Sequence, residues 1–239
     1  MRQGPCVTSS MCGRFTLVTP ASEWAALFHV EPLDVDPRYN IAPTTDIVAV
    51  RHTTQRGARE SALLRWGLIP AWTDTPDSFP LLINARSETI ASKPSFGDAF
   101  RQRRCVAVAD GFYEWQADGG RKRPFWIHLP DGSPFGIAAV WDRWSGGGSG
   151  PVLESCALVT TRASEDLEDV HDRMPVILDP GQVDKWLDSA TGLDELEALM
   201  LPGRAGRLTR REVSSRVNSV RYDDEDCLAP VSVQSDLFG

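Results

Sequence analysis

Short runs of apolar and β-branched residues, cut apart by Gly, Pro, Asp and Ser, dominate this chain and restrict it to a sheet-based fold. They occupy residues 46–50, 62–67, 105–109, 125–129, 135–141, 156–161, 176–178 and 212–217, and their length and composition are those of strands. Helical periodicity is confined to three places. Residues 22–30 set Trp24, Leu27 and Phe28 on one stripe after Pro20, with Ser22 as the expected N-cap; residues 182–189 and 194–201 read as two further helices on an acidic surface. Helices do not alternate regularly with strands, which disfavours a doubly wound parallel sheet. The expectation is an α+β fold: a single β-rich domain of mostly antiparallel strands with peripheral helices. Pro130-Asp131-Gly132-Ser133-Pro134 lies between two expected strands and reads as a hairpin loop, and the Gly/Ser run at 145–150 as a flexible loop.

At 239 residues and 41% hydrophobic, the chain can bury one sizeable core, and length alone permits one or two domains. No stretch approaches the ~18 apolar residues of a membrane span, and residues 1–10 lack the apolar region of a signal peptide. The cysteines, at 6, 12, 105, 156 and 227, are odd in number and without Cys-x-x-Cys spacing. That argues against a disulfide framework or a zinc ribbon and for a reducing cytoplasm, with Cys105 and Cys156 as core residues. No metal or cofactor is expected. The net charge of −8 disfavours nucleic acid on average. Its distribution leaves room for a basic groove. Arg101, Arg103, Arg104, Arg121, Lys122 and Arg123 stand against Asp110, Glu114 and Asp118, and Arg204, Arg207, Arg210, Arg211, Arg216 and Arg221 against Glu212. From charge alone a solvated surface is the better reading.

Chemistry enters at Met11-Cys12-Gly13-Arg14-Phe15. If translation starts at Met11 and that Met is removed, Cys12 becomes a 1,2-aminothiol. Its amine can condense with an aldehyde and its thiol can then close a thiazolidine ring. An α-amino group titrates near 7.7–8.0, so roughly a tenth is neutral at pH 7. With residues 1–11 attached, the nitrogen is an amide and this chemistry is closed. The mature chain is therefore expected to begin at Cys12, through a start at Met11 rather than self-cleavage. Residues 1–11 are then an extension, 12–230 a domain and 231–239 a tail.

Further along come Trp66-Gly67-Leu68-Ile69-Pro70-Ala71-Trp72, Asn84-Ala85-Arg86-Ser87-Glu88-Thr89, Arg104-Cys105 through Asp110-Gly111-Phe112-Tyr113-Glu114-Trp115, and His171-Asp172-Arg173-Met174-Pro175. In this order and spacing the chain resembles the SOS response-associated peptidase (SRAP) family, whose members shield abasic sites in single-stranded DNA by linking to them covalently. The resemblance implies a β-rich, barrel-like core, a catalytic Cys12, and single-stranded DNA with abasic sites as partner. The expected state is a monomer without membrane contact, in the cytoplasm.

It also assigns roles to residues whose ordinary reading is structural. Asn84 and Arg86 lie two apart, so in an extended segment both face one side. Alone this suits an edge strand's wet face; the family motif makes them hold the opened sugar and its phosphate. Arg14 matches a phosphate-binding Arg and should depress the pKa of the nearby amine. Glu114, between Tyr113 and Trp115, matches a proton-shuttling carboxylate with raised pKa, and His171 a catalytic His that helps to open the sugar ring. Asp172 either orients His171 or is simply solvated. Trp72 and Pro43 match a wedge against bases, though Thr73 stands where some relatives carry a second Trp. Thr160 matches a hydrogen-bonding position. Two other functions stay open: an N-terminal-nucleophile hydrolase or autopeptidase whose substrate is its own extension, and a noncovalent binder of modified bases.

Overall fold

The computed structural model describes residues 12–53, 58–74, 76–146 and 152–231. The proposed extension, most of the tail and the greater part of the 145–150 run lie outside these residues. Two sheets make the frame. The smaller contains β1 (Phe15–Leu17), β2 (Arg38–Ile41), β7 (Gly111–Asp118), β8 (Arg121–His128) and β13 (Thr209–Glu212), ordered β13-β8-β7-β1-β2 with antiparallel neighbours. The larger is built on β3 (Asp46–His52), β4 (Arg59–Trp66), β6 (Arg104–Ala109), β9 (Phe135–Trp144) and β10 (Leu153–Arg162). Its pairings run β10–β4–β3–β6–β9 and back to β10, which gives the barrel-like core. β5 (Asn84–Arg86) and β11 (Arg173–Pro175) add to β10, and β12 (Ile177–Leu178) adds to β9.

β6 is buried at every position, consistent with its unbroken apolar run. The contact of β10 with both β4 and β5 is parallel, so the sheet is mixed rather than wholly antiparallel. Phe15 of the small sheet meets Trp66 of the large one at 5.2 Å between ring centroids, both fully buried. That contact ties the two sheets together at the start of β1.

Several sequence expectations shift. Helix α1 (Ala21–Phe28) has Pro20 rather than Ser22 at its N-cap, with no side-chain cap. The helix expected at 182–189 is α3 (Pro180–Leu187), opened by a capping box between Asp179 and Gln182. The last, α4, runs Leu193–Leu199, and a short α2 (Gly97–Gln102) was not foreseen. The 130–134 segment is not a hairpin, because β8 and β9 belong to different sheets. The tight hairpin joins β7 to β8 through Gly119 and Gly120, both with positive φ (53° and 87°). The strand expected at 212–217 stops at Glu212 and gives way to a 3-10 turn, Ser215–Asn218, capped by Ser214.

Candidate active site

Cys12 enters immediately before β1, and β1 runs antiparallel to β7, with Phe15 opposite Phe112 and Tyr113 N–H donating to the Arg14 carbonyl at 3.0 Å. This register brings residue 12 beside Glu114. The Cys12 backbone N–H donates to Glu114 Oε1 at 2.6 Å, and both residues are buried, with 0% and 3% of their surface exposed. Burial pushes the Glu114 carboxyl up to about 8, against the N–H groups of Cys12 and Trp115, which favour its ionised form. The Cys12 thiol is also driven well above its ordinary value, by burial first and by the charge of Glu114 second.

The larger sheet supplies the other side. β5 lies parallel to β10, with Asn84 opposite Leu158 and Arg86 opposite Thr160. Asn84 Nδ2 reaches the Cys12 carbonyl at 3.5 Å, so the first residue of β5 touches the candidate nucleophile across the seam between the sheets. Arg86 is exposed, while Thr160 is fully buried behind it. Arg173 of β11, which the motif did not single out, donates through Nη2 to the Thr160 carbonyl at 2.7 Å and pairs with both oxygens of Glu88.

His171 Nδ1 accepts from the Arg173 backbone N–H at 3.1 Å and lies 3.0 Å from Asp172 Oδ1. A backbone N–H always donates, whereas the Asp172 side chain is 85% exposed and solvated. Nδ1 is thus an acceptor in the contact with the backbone. The backbone of Arg173 orients this ring, and Asp172 is secondary.

Glu114, His171, Arg14 and Pro43 line one cleft of about 800 Å³, together with Trp115, Lys122, Asn218 and Val220. A second, of about 450 Å³, is bounded by Arg86, Arg162, Glu168, Asp172 and Arg173. Neighbouring residues of the 171–172 segment line the two. Trp72 lines neither. It stands 56% exposed on its loop, edge-on to Phe79 at 5.6 Å, and Thr73 beside it is buried, its carbonyl accepting from Trp144 Nε1. A cleft of about 880 Å³ elsewhere contains His52, Arg59 and Arg104. Arg104 spends its donors on the carbonyls of Phe100, Arg101, Trp186 and Asp188, and Arg59 pairs with Asp184, so this cleft offers little to a ligand. Among the described residues no cluster of His, Cys, Asp and Glu is placed to hold a metal ion, and no helix is long and apolar enough to cross a membrane.

Sequence comparison places the chain in one family. The SOS response associated peptidase (SRAP) family profile matches residues 11–220, and the chain belongs to that family. Among similar proteins, Abasic site processing protein YoaM of Bacillus subtilis is 36% identical, over 91% of this chain and 97% of that protein. Abasic site processing protein YedK of Escherichia coli is 30% identical, over 92% and 100%. Abasic site processing protein HMCES of Gallus gallus is 34% identical, over 82% of this chain and 67% of its own. A solved structure from Bordetella bronchiseptica superposes with a TM-score of 0.73 at 28% identity, covering 85% of this chain and 100% of the other. One from Bacteroides thetaiotaomicron gives 0.82 at 23% identity, covering 91% and 98%, a likeness of fold.

Proposed function

We propose that this protein processes abasic sites in DNA by forming a thiazolidine crosslink through Cys12, after residues 1–11 are absent and the residue 12 nitrogen is a free amine. The names of its relatives support the lesion class. The observation that carries the chemistry is the 2.6 Å contact between the Cys12 nitrogen and Glu114 Oε1 in a buried setting. With residue 11 attached, burial raises this carboxyl to about 8. Beside a free amine the two groups share a proton across the contact, so Glu114 can take one from the amine and return it to a departing hydroxyl.

The closed hemiacetal of an abasic deoxyribose first opens, with His171 moving protons on the ring oxygens. The neutral Cys12 amine attacks C1′, and the carbinolamine loses one water as Glu114 protonates the departing hydroxyl. The Cys12 sulfur then bonds to the carbon of the protonated imine, the C=N electron pair returns to nitrogen, and the thiol proton passes to the Glu114 carboxylate. One water leaves in all, and no redox partner is needed. Asn84 and Arg86 orient the sugar and its flanking phosphate. An autopeptidase would instead need the thiolate to attack the Met11 carbonyl. The protonated, buried thiol is poorly suited to that, whereas a protonated imine is a far stronger electrophile than an amide.

A denaturing gel of single-stranded abasic oligonucleotide with protein beginning at Cys12 tests the reading. Wild type should give an adduct that survives heating. Cys12→Ala should give only an adduct trapped by borohydride, and Glu114→Ala and His171→Ala should slow the reaction by about 10²–10⁴ each. A heat-stable adduct from Cys12→Ala would sink the thiazolidine reading.

A further inference from the structure

Arg14 is a half-buried arginine with no carboxylate partner. Its Nη1 donates to Asn40 Oδ1 at 2.9 Å and to the Val217 carbonyl at 2.7 Å, both neutral acceptors. Among the described residues nothing accepts from its Nε or Nη2, and the side chain lines the cleft that holds Glu114. One end of the guanidinium fork is therefore anchored in protein and the other faces the cleft with its charge uncancelled. A carboxylate is close at hand. Asp223 accepts from the backbone N–H of Asn40 at 2.8 Å, but its side chain is committed to Arg38. Asn40 holds the place where an acid would neutralise Arg14.

Asn40 does a second thing. It is 2% exposed, and its Nδ2 donates to the carbonyls of Val217, Ser219 and Tyr222, at 3.3, 3.1 and 2.7 Å. Those residues belong to the strap after β13 that brings Asn218 and Val220 to the far wall of the cleft. One buried amide thus fixes the arginine with its oxygen and the wall with its nitrogen.

Resting on the function proposed above, we propose that Asn40 is a positioning residue for DNA binding: it holds the free edge of Arg14 toward a phosphate in the cleft and, being neutral, leaves that charge available. A phosphate bound by Nε and Nη2 makes the bidentate contact for which a fixed, planar guanidinium is suited.

The test is binding of the protein beginning at Cys12 to single-stranded DNA carrying a tetrahydrofuran abasic analogue, which has no aldehyde and reports affinity without crosslinking. It is measured against salt for wild type, Arg14→Gln, Asn40→Ala and Asn40→Asp, with a urea midpoint for each. Arg14→Gln should weaken binding and reduce the slope of log K against log salt by about 0.7, the loss of one phosphate contact. Asn40→Asp should do the same, because its carboxylate pairs with Arg14. Asn40→Ala should weaken binding about tenfold with the wild-type slope retained, and most of that loss should vanish in an Arg14→Gln background, leaving only the part that comes through the cleft wall. Retention of the wild-type slope by Asn40→Asp, an Asn40→Ala affinity within twofold of wild type, or an undiminished tenfold loss in the double variant would each overturn the role of Asn40. A wild-type chain that binds no such strand overturns this inference and the proposed function together; a wild type that binds while the Asn40 variants match it overturns this inference alone.

Discussion

Glu114 is the residue on which the proposed chemistry leans, and its environment makes a prediction about stability as well. Its carboxyl rises from 4.5 to about 8, chiefly through burial. The folded state therefore holds a proton that the unfolded state releases above pH 4.5. The neutral form's contribution is fully present below that value and is lost as pH climbs through 8. At about 1.4 kcal/mol per unit, the effect is bounded near about 5 kcal/mol. Glu114→Gln retains an oxygen for the Cys12 N–H and cannot ionise. In the chain with Met11 attached, where that nitrogen is an uncharged amide, the variant should gain on wild type as pH rises from 5 to 8.5. Urea denaturation at both values checks this, and a gap that does not widen would mean the carboxyl is not held neutral.

At the scale of elements, β7 is the strand that delivers Glu114, and its first residue has no room. A Cβ on Gly111 would sit 2.1 Å from Nε1 of Trp126 and 2.4 Å from Cε2. That indole is nearly buried and donates to Thr16 Oγ1 at 3.1 Å, so it has no easy retreat. Gly111→Ala should cost about 1–3 kcal/mol, read as a lower urea midpoint at unchanged m. It should also slow adduct formation, because Gly111 pairs with Thr16 in the register that sets Cys12 against Glu114. Which elements were legible in sequence follows from their patterns. β3, β6, β9 and β10 carry long apolar runs and stood out. β1, β2 and β5, of three or four residues, did not, since partners far along the chain define them. Cys12, Glu114 and His171 were reachable through motifs because their chemistry is written in residue type. Asn40 carried no such mark: its partners are Arg14 and carbonyls some 180 positions away, and an asparagine in Arg38-Tyr39-Asn40-Ile41 reads as any polar residue.

The whole molecule carries a net charge of −8, so attraction to DNA must be local. Most partly buried arginines spend their charge on carboxylates, as Arg51 does on Glu60 and Glu154 and Arg173 on Glu88. Arg14, Arg86, Lys122 and Arg162 line the two clefts without an ion pair among the described residues. If all four meet phosphates, the salt slope on single strands is about −2.8, and affinity should fall about fiftyfold between 50 and 200 mM salt. Fluorescence anisotropy would show it. Intact duplex should bind more weakly, because Trp72 can stack only on bases already free of their partners. Equal affinity for the two, or indifference to salt, would count against a groove that tracks phosphates.

The complete burial of Cys12 has a further consequence, for the durability of the reagent. Peroxides oxidise thiolates, and only where they can reach the sulfur. Cys12 offers no surface, and its thiol stays protonated. On the proposed function one sulfur is consumed per lesion, so a Cys12 already oxidised to sulfenic acid would be lost to that chemistry. Packing the thiol between the sheets shields it from oxidants, and on the proposed function the approach of a DNA strand is the event that brings it into use.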